Sequence, residues 1–386
     1  MRPRCGLVPS CWLLLASCAG VAPDPSAASI DGLAVVTLDA AAAEALRAAE
    51  QEAVEAAAAR RFEAAGRAAR AALAVDPRAA RARAVLGVVA LHRASESDPI
   101  EWRGLRRGET ELALARQLAP NDAVVGRMHA AFLAESGHTS AAAQAAEDAL
   151  ARCEDAPDDE RAALLGAAAT YRYELGEERA ALPHLRAYVA LRPEDAGAHF
   201  RLGASLLVIA RTPQGVPPPY RRAQAEALES ARAFARCLEL SPEDEEAALS
   251  VATATLRAAA LARLDRASDR AARAAEAAGL EQRALDHLRA AADRFGDSAE
   301  ARFRAGVVAA QLGQPDLAQA SYRAALERDG GHVGSLLNLA SMESARGERA
   351  AAQARLERAL AEDARSPRLS GEERRRIAAW LAGAPR

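Results

Sequence analysis

Residues 299–332 read AEARFRAGVVAAQLGQPDLAQASYRAALERDGGH. Apolar residues recur three and four apart on both sides of Gly313, which is the periodicity of helices. Gly313-Gln314-Pro315-Asp316 interrupts that pattern. Glycine suits the left-handed turn that closes a first helix, and proline suits the opening position of a second. Small residues at Gly306, Ala318 and Ala325 predict a close crossing of the two helices. Each helix carries an apolar stripe too broad for its partner to hide. The unit therefore makes sense only when stacked on neighbouring copies.

Working outward, residues 333–365 repeat the pattern with Leu336, Leu339, Ala340, Gly347, Ala352, Leu356, Ala359 and Leu360. The unit of 34 residues, with its small residues and Tyr322 at place 24, resembles the tetratricopeptide repeat (TPR). The resemblance extends over most of the chain beyond about Leu46. It implies an all-α, TPR-type α-solenoid, a right-handed superhelix of about seven to eight helix pairs. It also implies a binding groove lined by the first helix of each pair, at places 2, 5, 6, 9, 12 and 13. By register those places hold Arg127, Glu135, Tyr173, Glu174, Phe200, Arg201, Phe303, Arg304, Gln311 and Asn338. Aromatic residues with arginine make a plausible peptide-binding lining. The Lys/Asn carboxylate clamp of TPR co-chaperones is missing, because the chain has no lysine and asparagine only at Asn121 and Asn338.

Composition agrees with a thin, layered core. The 386 residues are 51% hydrophobic but only 4% aromatic, so alanine and leucine must do the packing. A net charge of −3 provides no basic field for nucleic acid, which is not an expected partner. Five cysteines are too few for a disulfide scaffold. Cys153 and Cys237 fall near the ends of second helices and read as small core residues.

The N-terminus reads as an address. Arg2 and Arg4 precede a short apolar run, Leu7 to Ala16, ending Leu15-Ala16-Ser17-Cys18. This resembles a bacterial lipobox. The resemblance implies a lipoprotein signal peptide over 1–17, an acylated Cys18, and a cell-envelope location, at the periplasmic face of the outer membrane in a diderm host. Residues 18–38 read as a tether, 39–369 as the repeat array with Asp39 as its first N-cap, and 370–386 as a capping helix and tail. The tether's proline and serine content and the Ser370-Gly371-Glu372-Glu373 capping box carry those boundaries.

Three pairs are longer than the period. The excess falls near 96–107 and 211–221, and in the unit 245–296. No breaker separates Glu245 from Ala278, which predicts one long helix ending before Gly279. All three excesses lie between the first and second helix of a pair, predicting a decorated edge that carries Trp102 and Tyr220. Pro217-Pro218-Pro219-Tyr220 resembles a WW-domain ligand, but reads better as a rigid loop tip.

No catalytic constellation is present in the sequence. The seven histidines form neither HExxH nor a zinc-spaced cluster, and no Walker loop, GxGxxG or GxSxG occurs. The expected function is non-enzymatic, without cofactor or metal: a membrane-anchored scaffold binding protein segments in assembly, secretion or pilus-type machinery. The alternative is a cell-wall or polysaccharide-binding or export accessory protein, for which the chain has few aromatics.

Overall fold

The computed structural model describes residues 29–96, 102–211, 220–265 and 269–383. The signal-peptide reading, Cys18 and the segments 97–101, 212–219 and 266–268 lie outside those residues. Among the described residues there are seventeen α-helices and no strand. Sixteen of the helices form eight pairs, and the chain divides into two compact units, Met1–Pro193 and Glu194–Arg386.

The first unit holds α1 (Ala40–Ala58), α2 (Phe62–Val75), α3 (Ala80–Glu96), α4 (Trp102–Leu118), α5 (Ala123–Glu135), α6 (Thr139–Arg152), α7 (Asp158–Glu174) and α8 (Glu178–Leu191). Each helix packs on the next, and α1, α3, α5 and α7 also pack on one another. The first helices of the pairs thus share one layer. Asp39 caps α1 by accepting from the Ala42 amide at 2.8 Å. The core is alanine-rich, with Ala65, Ala69, Ala72, Ala82 and Val85 fully enclosed. Small residues let backbones touch: a Cβ on Gly108 would meet the Gly87 carbonyl oxygen at 2.8 Å. The turn after α5 is closed by Gly137 at φ 81° and that after α7 by Gly176 at φ 72°. After α1 the same left-handed place is held by Arg60, at φ 55°.

The second unit holds α9 (Ala196–Arg211), α10 (Tyr220–Leu240), α11 (Glu245–Leu264), α12 (Arg270–Arg294), α13 (Ala299–Gln311), α14 (Pro315–Arg328), α15 (Val333–Ala345), α16 (Arg349–Arg365) and α17 (Gly371–Leu381). Residues 299–332 fold as read: Gly313 turns at φ 71°, Pro315 opens α14, and Ala318, Tyr322 and Ala325 are buried. Gly306 faces the Tyr322 ring, whose Cε1 would lie 2.6 Å from a Cβ there.

The single long helix expected from Glu245 is not found. Instead α11, of 20 residues, ends at Leu264 and α12, of 25, begins at Arg270 and runs through Gly279. The physical reason is capping: the Asp269 carboxylate accepts from the Ala271 and Ala272 amides, and so starts a new helix where periodicity alone shows no break. Helix α11 is apolar and long enough to cross a membrane, the one such helix among the described residues. Its apolar positions are nonetheless buried against α10 and α12. The lengthened α10, α11 and α12 are tied by ion pairs, Arg263 to Glu281 and Arg221 to Asp265.

Helix α17 closes the end of the unit. Its capping box is formed as predicted, with Ser370 and Glu373 exchanging hydrogen bonds. Asp363 of α16 accepts from the Arg368 and Leu369 amides and from Arg374 Nε at 2.5 Å, so one carboxylate fixes both the turn and the last helix. Cys153 and Cys237 are buried and free.

Candidate functional site

The layer of first helices in the first unit carries two kinds of charge. At one end the charges are closed. Arg81 of α3 reaches Asp122, the N-cap of α5, at 2.7 Å and Glu160 of α7 at 2.8 Å. A single guanidinium thus clips three consecutive pairs together. On the far side of α7, Arg172 is similarly satisfied by Glu147 at 2.6 Å and Glu177 at 2.7 Å.

Between α5 and α7 the charges are open. Arg127 on α5 is half-buried and forms no hydrogen bond or ion pair among the described residues. Burial lowers its pKa, and the fields of Tyr171 and Glu160 only partly restore it. Glu135, at the end of the same helix, is likewise half-buried and unbonded. Burial raises its pKa, against weaker pulls from Arg60 and His92. Tyr171 on α7 is pushed up to about 12, first by burial and then by the charges of Glu135 and Glu174. Glu174 lies one turn beyond Tyr171 on the same helix face, and partial desolvation raises it too. Tyr173, two residues after Tyr171 on the same helix, is 43% exposed and points away from that face. A guanidinium, two carboxylates and a phenol therefore meet one surface with their solvation reduced and no bonds among themselves.

Such groups are unsatisfied receptors. Arg127 can donate to a carboxylate or a backbone carbonyl, Tyr171 can donate, and Glu135 and Glu174 can accept from a cation or from amide N–H groups. The acids outnumber the base, so the surface suits a segment bearing a positive side chain. Among the expected groove residues, Arg127, Glu135 and Glu174 come together here, whereas Tyr173 is exposed on α7. Tyr171 was not among them. It sits three residues before Glu174, and that one-turn spacing was the available signal.

The other expected groove residues lie in the second unit and behave differently. Phe200 packs edge-on against Phe234 at 5.2 Å, inside the α9–α10 pair. Phe303 lies 6.0 Å from the Tyr322 ring and 4.8 Å from His332, and a Cβ on Gly334 would touch its ring at 2.7 Å. Both rings fill space between helices, because a large flat side chain beside glycine and alanine occupies the gap those residues leave. Arg304 is held by Glu300 at 2.5 Å, and Asn338 acts on the Tyr322 phenol. Arg201 and Gln311 are exposed. Trp102 and Tyr220 each begin a second helix, rather than lying in the turn before it. Trp102 is 50% exposed, whereas Tyr220 is partly buried against the core cluster shared by α9, α10, α11 and α12.

Stacked helix pairs, glycine turns and small residues at the crossings define an all-α repeat fold of the TPR type. Solved structures with a similar arrangement include YrrB, described as a TPR protein with an unusual peptide-binding site, at 17% identity and TM-score 0.41 over 58% of this chain and 95% of that one. Residues 41 to the end of MamA from Desulfovibrio magneticus RS-1 give 15% identity and TM-score 0.39 over 54% and 98%. PilF of Pseudomonas aeruginosa gives 16% identity and TM-score 0.40 over 63% and 93%. No protein-family model and no curated protein matches the chain.

Proposed function

We propose that this protein is a non-enzymatic scaffold that captures a segment of another protein on the face of α5 and α7. One observation carries the reading. Arg127, Glu135 and Tyr171 are half-buried and unbonded beside the more exposed Glu174, on a layer that elsewhere pairs its charges through Arg81 and Arg172. Keeping polar groups partly dry without partners is unfavourable, and an incoming chain relieves it. The segment is extended, and bears a lysine or arginine opposite Glu135 and Glu174 with a backbone carbonyl or carboxylate on Arg127.

The proposed setting is the cell envelope, with the chain fastened through an acylated Cys18, at the periplasmic face of the outer membrane in a diderm host. The proposed work is in assembly, secretion or pilus-type machinery. The lipobox and the tether sequence support the anchor, and the open charges support the binding.

A photoreactive benzoylphenylalanine at position 173 tests the face. It should crosslink a protein partner in membranes, and the combined Arg127→Ala and Glu135→Gln changes should cut that yield roughly ten-fold. Undiminished crosslinking in that variant would refute the site. Cys18→Ser should release the chain from the membrane fraction, and unchanged sedimentation would refute the anchor.

A further inference from the structure

Helices α4, α5 and α6 leave a cavity of about 330 Å³ between them. Arg116 lines it from the last turn of α4 and Arg152 from the last turn of α6, both exposed at its mouth, with half-buried His129 from α5. No acidic side chain lines it. Cations are favoured at helix C-termini. That accounts for arginine at each helix end, but not for two arginines and a histidine converging on one hollow. Neither arginine forms an ion pair among the described residues, and Arg116 reaches only His129 Nε2, at 3.4 Å.

Arginine has N–H donors and no acceptor, so Nε2 must accept and the imidazole is neutral. Burial, then Arg116, then Arg152 hold its pKa down to about 4. Those two cations, from α4 and α6, are the charges that act on it, and none acts from α3 or α7. The hollow thus offers two guanidinium groups and no counter-charge. Its volume is at the lower end of those that hold small ligands, roughly 300–1,000 Å³.

We propose that this cavity binds a phosphomonoester, its dianionic head between Arg116 and Arg152 and its organic group against Pro120 and Gly126. A dianion matches two guanidinium groups in charge, and phosphate oxygens match their paired N–H geometry. The volume leaves room for a small esterified group beyond the phosphate. The source is either a soluble phosphate ester or a phosphomonoester lipid headgroup, and the site is separate from the α5–α7 face above.

The test uses the full chain with glycerol 3-phosphate by calorimetry, following the His129 ring by NMR. Binding should raise the His129 pKa by at least about one unit, because the dianion offsets the two cations that hold it down. Arg116→Gln and Arg152→Gln should each weaken binding roughly ten-fold at low salt, with the circular dichroism melt unchanged. Sedimentation with phosphatidylcholine vesicles, with and without phosphatidic acid, identifies the source. Added retention on phosphatidic acid that the double variant loses points to the lipid, and calorimetric binding without it points to the soluble ester. Both outcomes support the site. A double variant that binds glycerol 3-phosphate like the wild type, or a His129 resonance that does not move, would overturn it.

Discussion

Gly306 and Gly279 are both helical glycines of the second unit, and the same substitution should act on them with opposite sign. Replacing a helix-interior glycine by alanine is worth about 1 kcal/mol in backbone propensity. At Gly279, in α12, a Cβ meets nothing within 4 Å, so that gain should appear undiminished. At Gly306, in α13, a Cβ would lie 2.6 Å from Tyr322 Cε1, 2.7 Å from Cδ1 and 3.2 Å from the Ala318 carbonyl. The Tyr322 ring is buried and flanked by Phe303, so it cannot swing into solvent. Overpacking of this kind costs roughly 1–3 kcal/mol. Net, Gly279→Ala should stabilise by about 1 kcal/mol and Gly306→Ala should destabilise by about 1 kcal/mol. Urea unfolding at fixed m-value reads the difference as a shift in midpoint, with hydrogen exchange in α12 and α13 guarding against partial unfolding. Equal shifts in one direction would refute the claim that close approach, and not glycine itself, sets the sign.

Three further outcomes are expected. Arg60→Gly should stabilise the first unit by about 1 kcal/mol, because a left-handed backbone costs a non-glycine residue roughly 1–2 kcal/mol and the Phe62 contact returns part of that; a lower thermal midpoint would contradict it. The Asp363 carboxyl is held at about 2, below its ordinary value, by Arg374 first and then the Arg368 and Leu369 amides. A depressed folded pKa means that its contribution is present above pH 4 and is lost as pH falls toward 2, so α17 should detach over that window. Trp380 fluorescence in a Trp12→Phe, Trp102→Phe background should follow this, and Asp363→Asn should abolish the pH step. Cys153 and Cys237 are buried with thiols raised by burial, Cys237 to about 11. Mass-mapped iodoacetamide labelling should reach neither until urea unfolds the chain, and rapid native labelling of either would count against their burial.

Much of the fold was legible because helix periodicity, glycine turns and proline starts are local. The 299–332 stretch folds as its sequence reads, down to the left-handed Gly313 and the buried Tyr322. The helix break at 265–269 was missed for a local reason as well. Asp269 is an N-cap residue within an otherwise helical composition, and periodicity does not weigh a single cap. The candidate site was only partly legible. Register placed Arg127, Glu135, Tyr173 and Glu174 on first helices, but gave the same standing to Phe200 and Phe303, which fill gaps between helices.

The sequence by itself determined that this chain is stacked helix pairs, where each pair turns, and which small residues lie at the crossings. Those properties depend on backbone preference and on spacing within one or two turns. Only the tertiary structure decided which charges are closed and which are open. Arg81 and Arg127 are alike in the chain, yet one finds Asp122 and Glu160 from two other pairs while the other finds none. Pairing across helices is fixed by how the layers stack, and a local pattern does not encode that.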